Sequence, residues 1–285
     1  MGASGRGRRA RPSHLVTHTR AALVALLEEH GLTPSRALGQ NFVVDANTVR
    51  RIARLSGVTT GDEVLEIGAG LGSLTLALVE TGAHVTAMEV DRHLLGPLRA
   101  VVEPVGVRVH HADALVADYT SILTGPTTVV ANLPYNVATP LVLHLLETQP
   151  LITRMLVMVQ REVGERFAAH AGDDAYGAVS LRVQYYGDAR VVGKVGPNVF
   201  VPRPKVESAL VEIVRRESVR VDPAVVGEEE LFTVVRTSFG QRRKMLRRSL
   251  HEWASEGVFE RAGVDETRRP EELTLEEFAR LAAAR

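Results

Sequence analysis

The 285-residue chain contains no cysteine, so neither a disulfide framework nor a cysteine-based zinc site is open to it. That absence suits a reducing compartment, and a cytoplasmic protein that uses no metal is expected. No apolar run approaches the roughly 18 residues of a membrane-spanning helix. No signal-peptide core precedes Ala21 in the basic N-terminus. Internal repeats are missing too. Net charge is formally zero, 34 basic residues against 34 acidic ones, so any preference for a polyanion must come from how charge is distributed. What is present, at 45% hydrophobic content, suffices for a full α/β core and a small second domain.

Helical patterns at about 20–30, closed by Gly31, and at about 45–56, opened by Asp45 and closed by Gly57, precede a first strand over Asp62–Ile67. Strand-like runs at Val85–Met88, Val107–His110, Thr128–Ala131 and Met155–Val159 then alternate with helical patterns as far as about Gly187. Alternation of this kind implies a parallel sheet covered on both faces. Two further strands are expected at Val191–Val195 and Ala209–Val214, and after Arg216 the pattern is helical, ending in a capped helix at Thr274-Leu275-Glu276-Glu277-Phe278. The organisation expected is a basic arm over 1–19, an α/β domain over 20–216 and a helical domain over 217–285.

Chemistry-bearing residues fall at the ends of these strands. The first strand runs into Gly68-Ala69-Gly70-Leu71-Gly72 and then a helical pattern from Ser73 to Glu80, the strand–glycine loop–helix order that lets backbone approach a ligand closely. A dinucleotide fingerprint needs Gly-x-Gly-x-x-Gly, but Ser73 holds its last position, so the match to a nicotinamide site is imperfect. Glu66 precedes the loop. Glu89 ends the second strand, where a carboxylate suits ribose hydroxyls, and Asp113 follows the third, where it suits an adenine amine. In open α/β sheets ligands collect at this carboxyl edge of the strands.

The fourth strand runs into Asn132-Leu133-Pro134-Tyr135. Pro134 has a fixed φ and pushes Leu133 towards an extended conformation, so the loop is stiff. An Asn oxygen and a neighbouring backbone carbonyl suit a planar amino group, with the Tyr135 ring on the face of the attached base. Two fixed acceptors would favour the pyramidal, nucleophilic form of such an amine. The same four residues also fit a plain helix-entry loop with Asn as cap and Tyr as packing.

Taken in order, Gly39-Gln40-Asn41-Phe42, Glu66 to Thr75, Glu89-Val90-Asp91, Asp113-Ala114 and Asn132 to Tyr135 resemble the KsgA/RsmA family of rRNA adenine N6-dimethyltransferases. The likeness runs from about Ala37 to about Leu250 and takes in Phe200-Val201-Pro202-Arg203-Pro204-Lys205-Val206-Glu207-Ser208 and Phe239 to Leu246. Ala69 where the family usually has proline, and Val43 where leucine is usual, are the visible departures. The resemblance implies a Rossmann-like α/β methyltransferase with a seven-stranded, mostly parallel sheet and one antiparallel member. It further implies S-adenosylmethionine as cofactor, held by Asn41, Val43, Gly68, Glu89, Asp113 and Asn132, and a target adenine held by Asn132, Pro134 and Tyr135. The substrate implied is two adjacent adenosines near the 3′ end of small-subunit rRNA, and the partner the immature small subunit, met as a monomer. A related enzyme of the large subunit, or an assembly factor that uses methylation little, are the competing readings; Leu133 and Arg242-Arg243-Lys244 favour the small subunit.

Two features bear on the RNA. Arg236, Arg242, Arg243, Lys244, Arg247 and Arg248 lie in a stretch from Leu231 to His251 without an acidic residue. Met245, Leu246 and Leu250 are expected as its buried stripe at helical spacing, which turns the cations outward to phosphates. The arm carries Arg6, Arg8, Arg9, Arg11 and Arg20 and reads as disordered. Phe200 has two candidate roles: stacking on the second face of a flipped adenine opposite Tyr135, or filling the seam between sheet and loop.

Overall fold

Continuous apolar runs mark strands buried on both faces, and the runs here supply the middle of a sheet: Val129, Val130 and Ala131 are buried, as is all of Met155–Val159. The computed structural model describes residues 18–35 and 37–285. In it α1 (Arg20–Glu29) and the short β1 (Phe42–Val43) precede α2 (Ala46–Leu55), β2 (Glu63–Ile67), α3 (Ser73–Glu80), β3 (His84–Glu89), α4 (Arg92–Val102) and β4 (Arg108–His111). Then come β5 (Thr127–Asn132), α5 (Ala138–Thr148), β6 (Ile152–Gln160), α6 (Arg161–Ala168), α7 (Ala178–Tyr186), β7 (Gly187–Val195), the short β8 (Phe200–Val201) and β9 (Ser208–Arg215). The helices α8 (Glu228–Gly240), α9 (Leu246–Ser249), α10 (Val258–Ala262) and α11 (Leu275–Ala283) complete the chain.

Seven strands form one sheet in the order β4-β3-β2-β5-β6-β9-β7. All pairs are parallel except those of β9, which runs against both β6 and β7. The strand order reverses between β2 and β5, so their carboxyl ends open a crevice there. The pleat sorts side chains onto two layers. Val64, Val130, Leu156 and Met158 face α2, α3 and α4, whereas Leu65, Val129, Val157 and Val211 join the core that includes α5 and α7. That second core continues into Leu231, Val235, Leu250 and Phe278 of the C-terminal helical part, with Phe232 edge-on to Tyr185. The helical part therefore begins where the sheet ends but shares the sheet's core.

Helix boundaries follow local chemistry. Asp45 caps α2 by accepting from the Thr48 amide at 2.8 Å, and Thr274 with Glu277 forms a reciprocal capping box on α11. A third small core of Leu23, Leu27, Phe42, Val44, Leu71 and Leu94 seats α1 against the glycine loop. Of the expected arm, Arg6, Arg8, Arg9 and Arg11 lie outside the described residues. Its last two residues are structured: the His18 ring bonds the Leu71 carbonyl at 3.0 Å, and Thr19 caps α1. Arg20, counted with the arm's cations, belongs to α1 and bonds the Asn198 carbonyl at 2.6 Å.

Gly72 caps α3 with φ of 86°, and a Cβ there would come within 2.7 Å of Val102 Cγ1. Gly72→Ala is therefore expected to destabilise the protein by about 1–3 kcal/mol, through left-handed strain with a steric contribution. Chemical denaturation checks this; an unchanged midpoint would contradict it.

Candidate active site

The crevice between β2 and β5 holds a cavity lined by Asn41, Val43, Gly68, Glu89, Asn132 and Tyr135, among others. Each of these was expected from sequence, and the fold brings them together from separate loops. Asp113 stands apart in a neighbouring apolar slot with Ile67, Met88, Val90 and Leu141; Gly68 and Pro134 line both spaces. The Asp113 carboxylate accepts the Leu115 amide at 2.9 Å, an aspartate turn that leaves its other oxygen open.

The glycine loop is held at both ends. The Gly68 and Ala69 amides donate to the Met88 carbonyl at 2.9 and 3.2 Å. The Gly70 amide donates to Glu89 Oε2 at 2.8 Å, while Glu89 Oε1 accepts from Val90 and Asp91 at 3.0 and 2.9 Å. Glu89 thus organises the loop before any ligand arrives, a role its place at a strand end does not announce. Burial raises its carboxyl above the usual range, offset in part by these three amides. Gly70 lies against the Phe42 ring, 3.0 Å from where a Cβ would sit.

Glu66 is buried beside the loop and lines the same cavity. Its Oε2 has no hydrogen-bond partner among the described residues, nor does the buried hydroxyl of Ser73. Burial pushes the Glu66 carboxyl up to about 8, the Thr75 hydroxyl countering this only in part and the Glu89 charge adding to it. At neutral pH it is largely the neutral acid. An orphaned carboxyl in a cavity fits a cationic ligand group, which would restore its charge.

Asn132 is oriented by a contact no motif spells out. Its Nδ2 donates to the main-chain carbonyl of Asn41 at 2.8 Å, which leaves Oδ1 as the acceptor on the other side of the amide. The Asn41 side chain braces its own turn by donating to the Gly39 carbonyl at 3.1 Å. Gln40 ties the same turn to Asp91, the residue that caps α4, at 2.8 Å.

The carbonyl expected of Pro134 needs correction. It accepts from Val137 and Ala138 at 3.2 and 3.1 Å, starting α5, so it is already committed to backbone. The Leu133 carbonyl one residue earlier accepts no hydrogen bond among the described residues, and Leu133 lines the cavity. Phe200 takes the second of its two candidate roles here. Paired with Val43 across the β1–β8 ribbon and 1% exposed, it fills the seam and offers no ring face to a base. Tyr135 is half-buried, and its hydroxyl lies 3.0 Å from Ser208 Oγ.

A model described as "Ribosomal RNA adenine dimethylase" matches residues 32–284. The chain belongs to this ribosomal RNA adenine dimethylase family. Similar dimethylase relatives include the ribosomal RNA small subunit methyltransferase A of Thermobifida fusca, 45% identical over 94% of this chain and 96% of its own length. The protein of that name from Streptomyces coelicolor is 47% identical over 88% and 91%. Among solved structures, the 23S rRNA methyltransferase ErmE superposes with a TM-score of 0.68 at 26% identity, covering 85% of this chain and 98% of that one. A dimethyladenosine transferase from Plasmodium falciparum reaches 0.71 at 23% identity over 83% and 94%, and shows the shared fold.

In this dimethylase the basic segment differs from the expected cationic helix. α8 stops at Gly240, residues 241–245 form turns, and only the one-turn α9 follows. Leu246 and Leu250 are buried as expected, but Met245 is exposed. Acids outside the stretch also close in. Arg236 pairs with Glu229 at 2.7 Å and Arg247 with Glu266 at 3.5 Å, while Arg242 donates to the Asp174 carbonyl at 2.8 Å. Arg243, Lys244 and Arg248 are exposed and have no acidic partner among the described residues.

The Glu66 carboxyl yields a pH test. Its folded-state value near 8 lies above the ordinary 4.5, so the folded protein keeps a proton that the unfolded chain loses. The stability this gives is full below about pH 4.5 and is lost as pH rises towards 8. Glu66→Gln should therefore gain in Tm relative to the unsubstituted protein between pH 5 and pH 9 in thermal melts; a pH-independent difference would contradict the assignment.

Proposed function

We propose that this chain transfers methyl groups from S-adenosylmethionine to N6 of two adjacent adenosines near the 3′ end of small-subunit rRNA, twice on each nitrogen, and acts as a cytoplasmic monomer on the immature small subunit. The observation that carries this reading is the Asn132 amide, tied through its NH2 group to the Asn41 carbonyl and so left with an oxygen to accept from an amine. Relatives at 45% and 47% identity bear a small-subunit name, while the 23S enzyme is 26% identical, so the small subunit is the target taken.

The donor set fits the cofactor. Glu89 would take the ribose hydroxyls and Asp113 the adenine amine, with the base in the apolar slot. Glu66 would face the cationic ammonium. Gly68 with the Asn41 and Val43 segment would border the remainder. Bound there, S-adenosylmethionine supplies an electrophilic methyl group on sulfur. The protein's part is to prepare the nucleophile. An adenine N6 lone pair is delocalised into its ring; in the first round, acceptance of its two hydrogens by Asn132 Oδ1 and the Leu133 carbonyl favours the pyramidal form and stabilises positive charge as the new bond forms, the methylated nitrogen then releases one proton to water, and the hydrogen it keeps serves the second round. Tyr135 holds the ring by stacking, which is worth about 1–3 kcal/mol per base, and the stiff Leu133-Pro134 backbone supplies proximity. Exposed Arg243, Lys244 and Arg248 contact phosphates; Arg236, Arg242 and Arg247 join them by exchanging their present partners.

Primer extension across the 3′ end of small-subunit rRNA tests the target: stops at two adjacent adenosines should disappear in cells lacking the protein, and their persistence would overturn the assignment. Asn132→Ala should abolish transfer while cofactor affinity, measured by calorimetry, falls far less; dimethylation at the normal rate would remove Asn132 from the chemistry. Joint replacement of Arg243, Lys244 and Arg248 by Ala should lower the slope of log affinity for RNA against log salt by about 2 to 3. An unchanged slope would place the phosphate contacts elsewhere.

A further inference from the structure

Ser208 opens β9 and is fully buried. Its backbone is gripped on both sides, by Gln160 of β6 and Val195 of β7, so its position is set by three strands. A buried serine hydroxyl needs a partner. The hydrogen bond given to this one is to the Tyr135 hydroxyl at 3.0 Å, 73 residues away in sequence and in the acceptor loop. Burial raises the Tyr135 hydroxyl above its usual range, countered in part by Ser208, so both groups stay protonated at working pH.

The backbone around Tyr135 is already fixed. Pro134 restricts the chain before it, and the Pro134 carbonyl anchors the turn after it through Val137 and Ala138. The freedom left to the residue lies in its side-chain torsions. A ring held by its backbone alone can change rotamer; one also held at its far end, by an atom fixed in the sheet, keeps its long axis, and a phenol's preference for hydrogen bonds in its own ring plane selects the tilt about that axis. A flat π-surface is useful to a base only when its plane is right, and stacking preferences are steep in angle and offset.

We propose that Ser208 is a positioning residue for methyl transfer: through the Tyr135 hydroxyl it fixes the axis and the preferred tilt of the ring on which the acceptor base lies. The inference rests on the reading of Tyr135 as the stacking residue. It also explains why the acceptor loop carries tyrosine when phenylalanine would present the same face.

The rival role for this hydrogen bond is a staple that holds loop to sheet and nothing more. A double-mutant cycle separates the two. Ser208→Ala and Tyr135→Phe each strand one hydroxyl in a buried site, whereas the double variant strands none, and removing both partners of a buried hydrogen bond is close to neutral for stability. Single-turnover transfer is measured with saturating cofactor and small subunits lacking the modification, well below every melting transition and scaled to the cofactor-binding fraction. Each single variant should lose about tenfold in rate, the scale of one net hydrogen bond, with cofactor affinity unchanged. The double variant should recover its Tm but keep the tenfold loss. Recovery of rate together with Tm, or a Ser208→Ala rate equal to that of the unsubstituted protein, overturns the proposal. Tyr135→Ala is the control on the underlying reading: it should lose far more than tenfold, and a rate retained there would show that stacking by Tyr135 itself is wrong.

Discussion

The hydrogen bond from the Asn132 amide to the Asn41 carbonyl is the contact on which the rest of the site depends. An amide has two faces of opposite character, and nothing in the β5 strand decides which one looks into the cavity. The Asn41 carbonyl decides it. Around that carbonyl the chain is built stiff: Gln40 ties it to Asp91, Phe42 packs on Gly70, and Val43 pairs with Phe200. A segment before the sheet thus fixes the polarity of a side chain at the sheet's centre, and it borders the crevice cavity while doing so. On the proposed reading, donor and acceptor recognition are one piece of structure.

Electrostatics in the cavity follow from the same closeness. Two carboxyls, Glu66 and Glu89, lie within a buried space, and they are treated differently. Glu89 is surrounded by three amides and remains a hydrogen-bond hub, while Glu66 has an unpartnered oxygen and is pushed towards neutrality. The protein thereby avoids burying two unpaired charges together. A cationic group entering beside Glu66 would supply the missing partner.

Much of this was legible in the sequence because local rules and tertiary packing agree. α3 runs from Ser73 to Glu80, as the glycine loop and apolar spacing imply, and Asp45 and Thr274 cap the helices they were expected to cap. Strand ends placed Glu89 and Asn132 correctly because strand order in a parallel sheet gathers carboxyl ends. What was illegible depends on partners outside the stretch being read. The absence of acids between Leu231 and His251 says nothing of Glu229, just outside it, or Glu266, which folds back onto Arg247. A helical stripe through Met245 fails because Gly240 ends α8 and residues 241–245 turn. The Pro134 carbonyl is lost to α5 because a stiff turn leading into a helix must satisfy that helix's first amides. Ser208 stood in view at the end of a long motif, but its use is visible only once β9 is laid beside the acceptor loop.

The apolar core that passes without a break from the sheet into the C-terminal helices has a geometric corollary. Arg243, Lys244 and Arg248 flank Leu246 and Leu250 of that core, which also takes in the strand that carries Asn132. On the proposed reading their separation from Asn132 is set by the fold, and the protein works as a fixed-span caliper: an adenosine is reachable only when its distance from the gripped phosphates matches that span. Two neighbouring targets differ by one nucleotide step. Since the caliper does not stretch, the polynucleotide has to shift by that step between one target and the next.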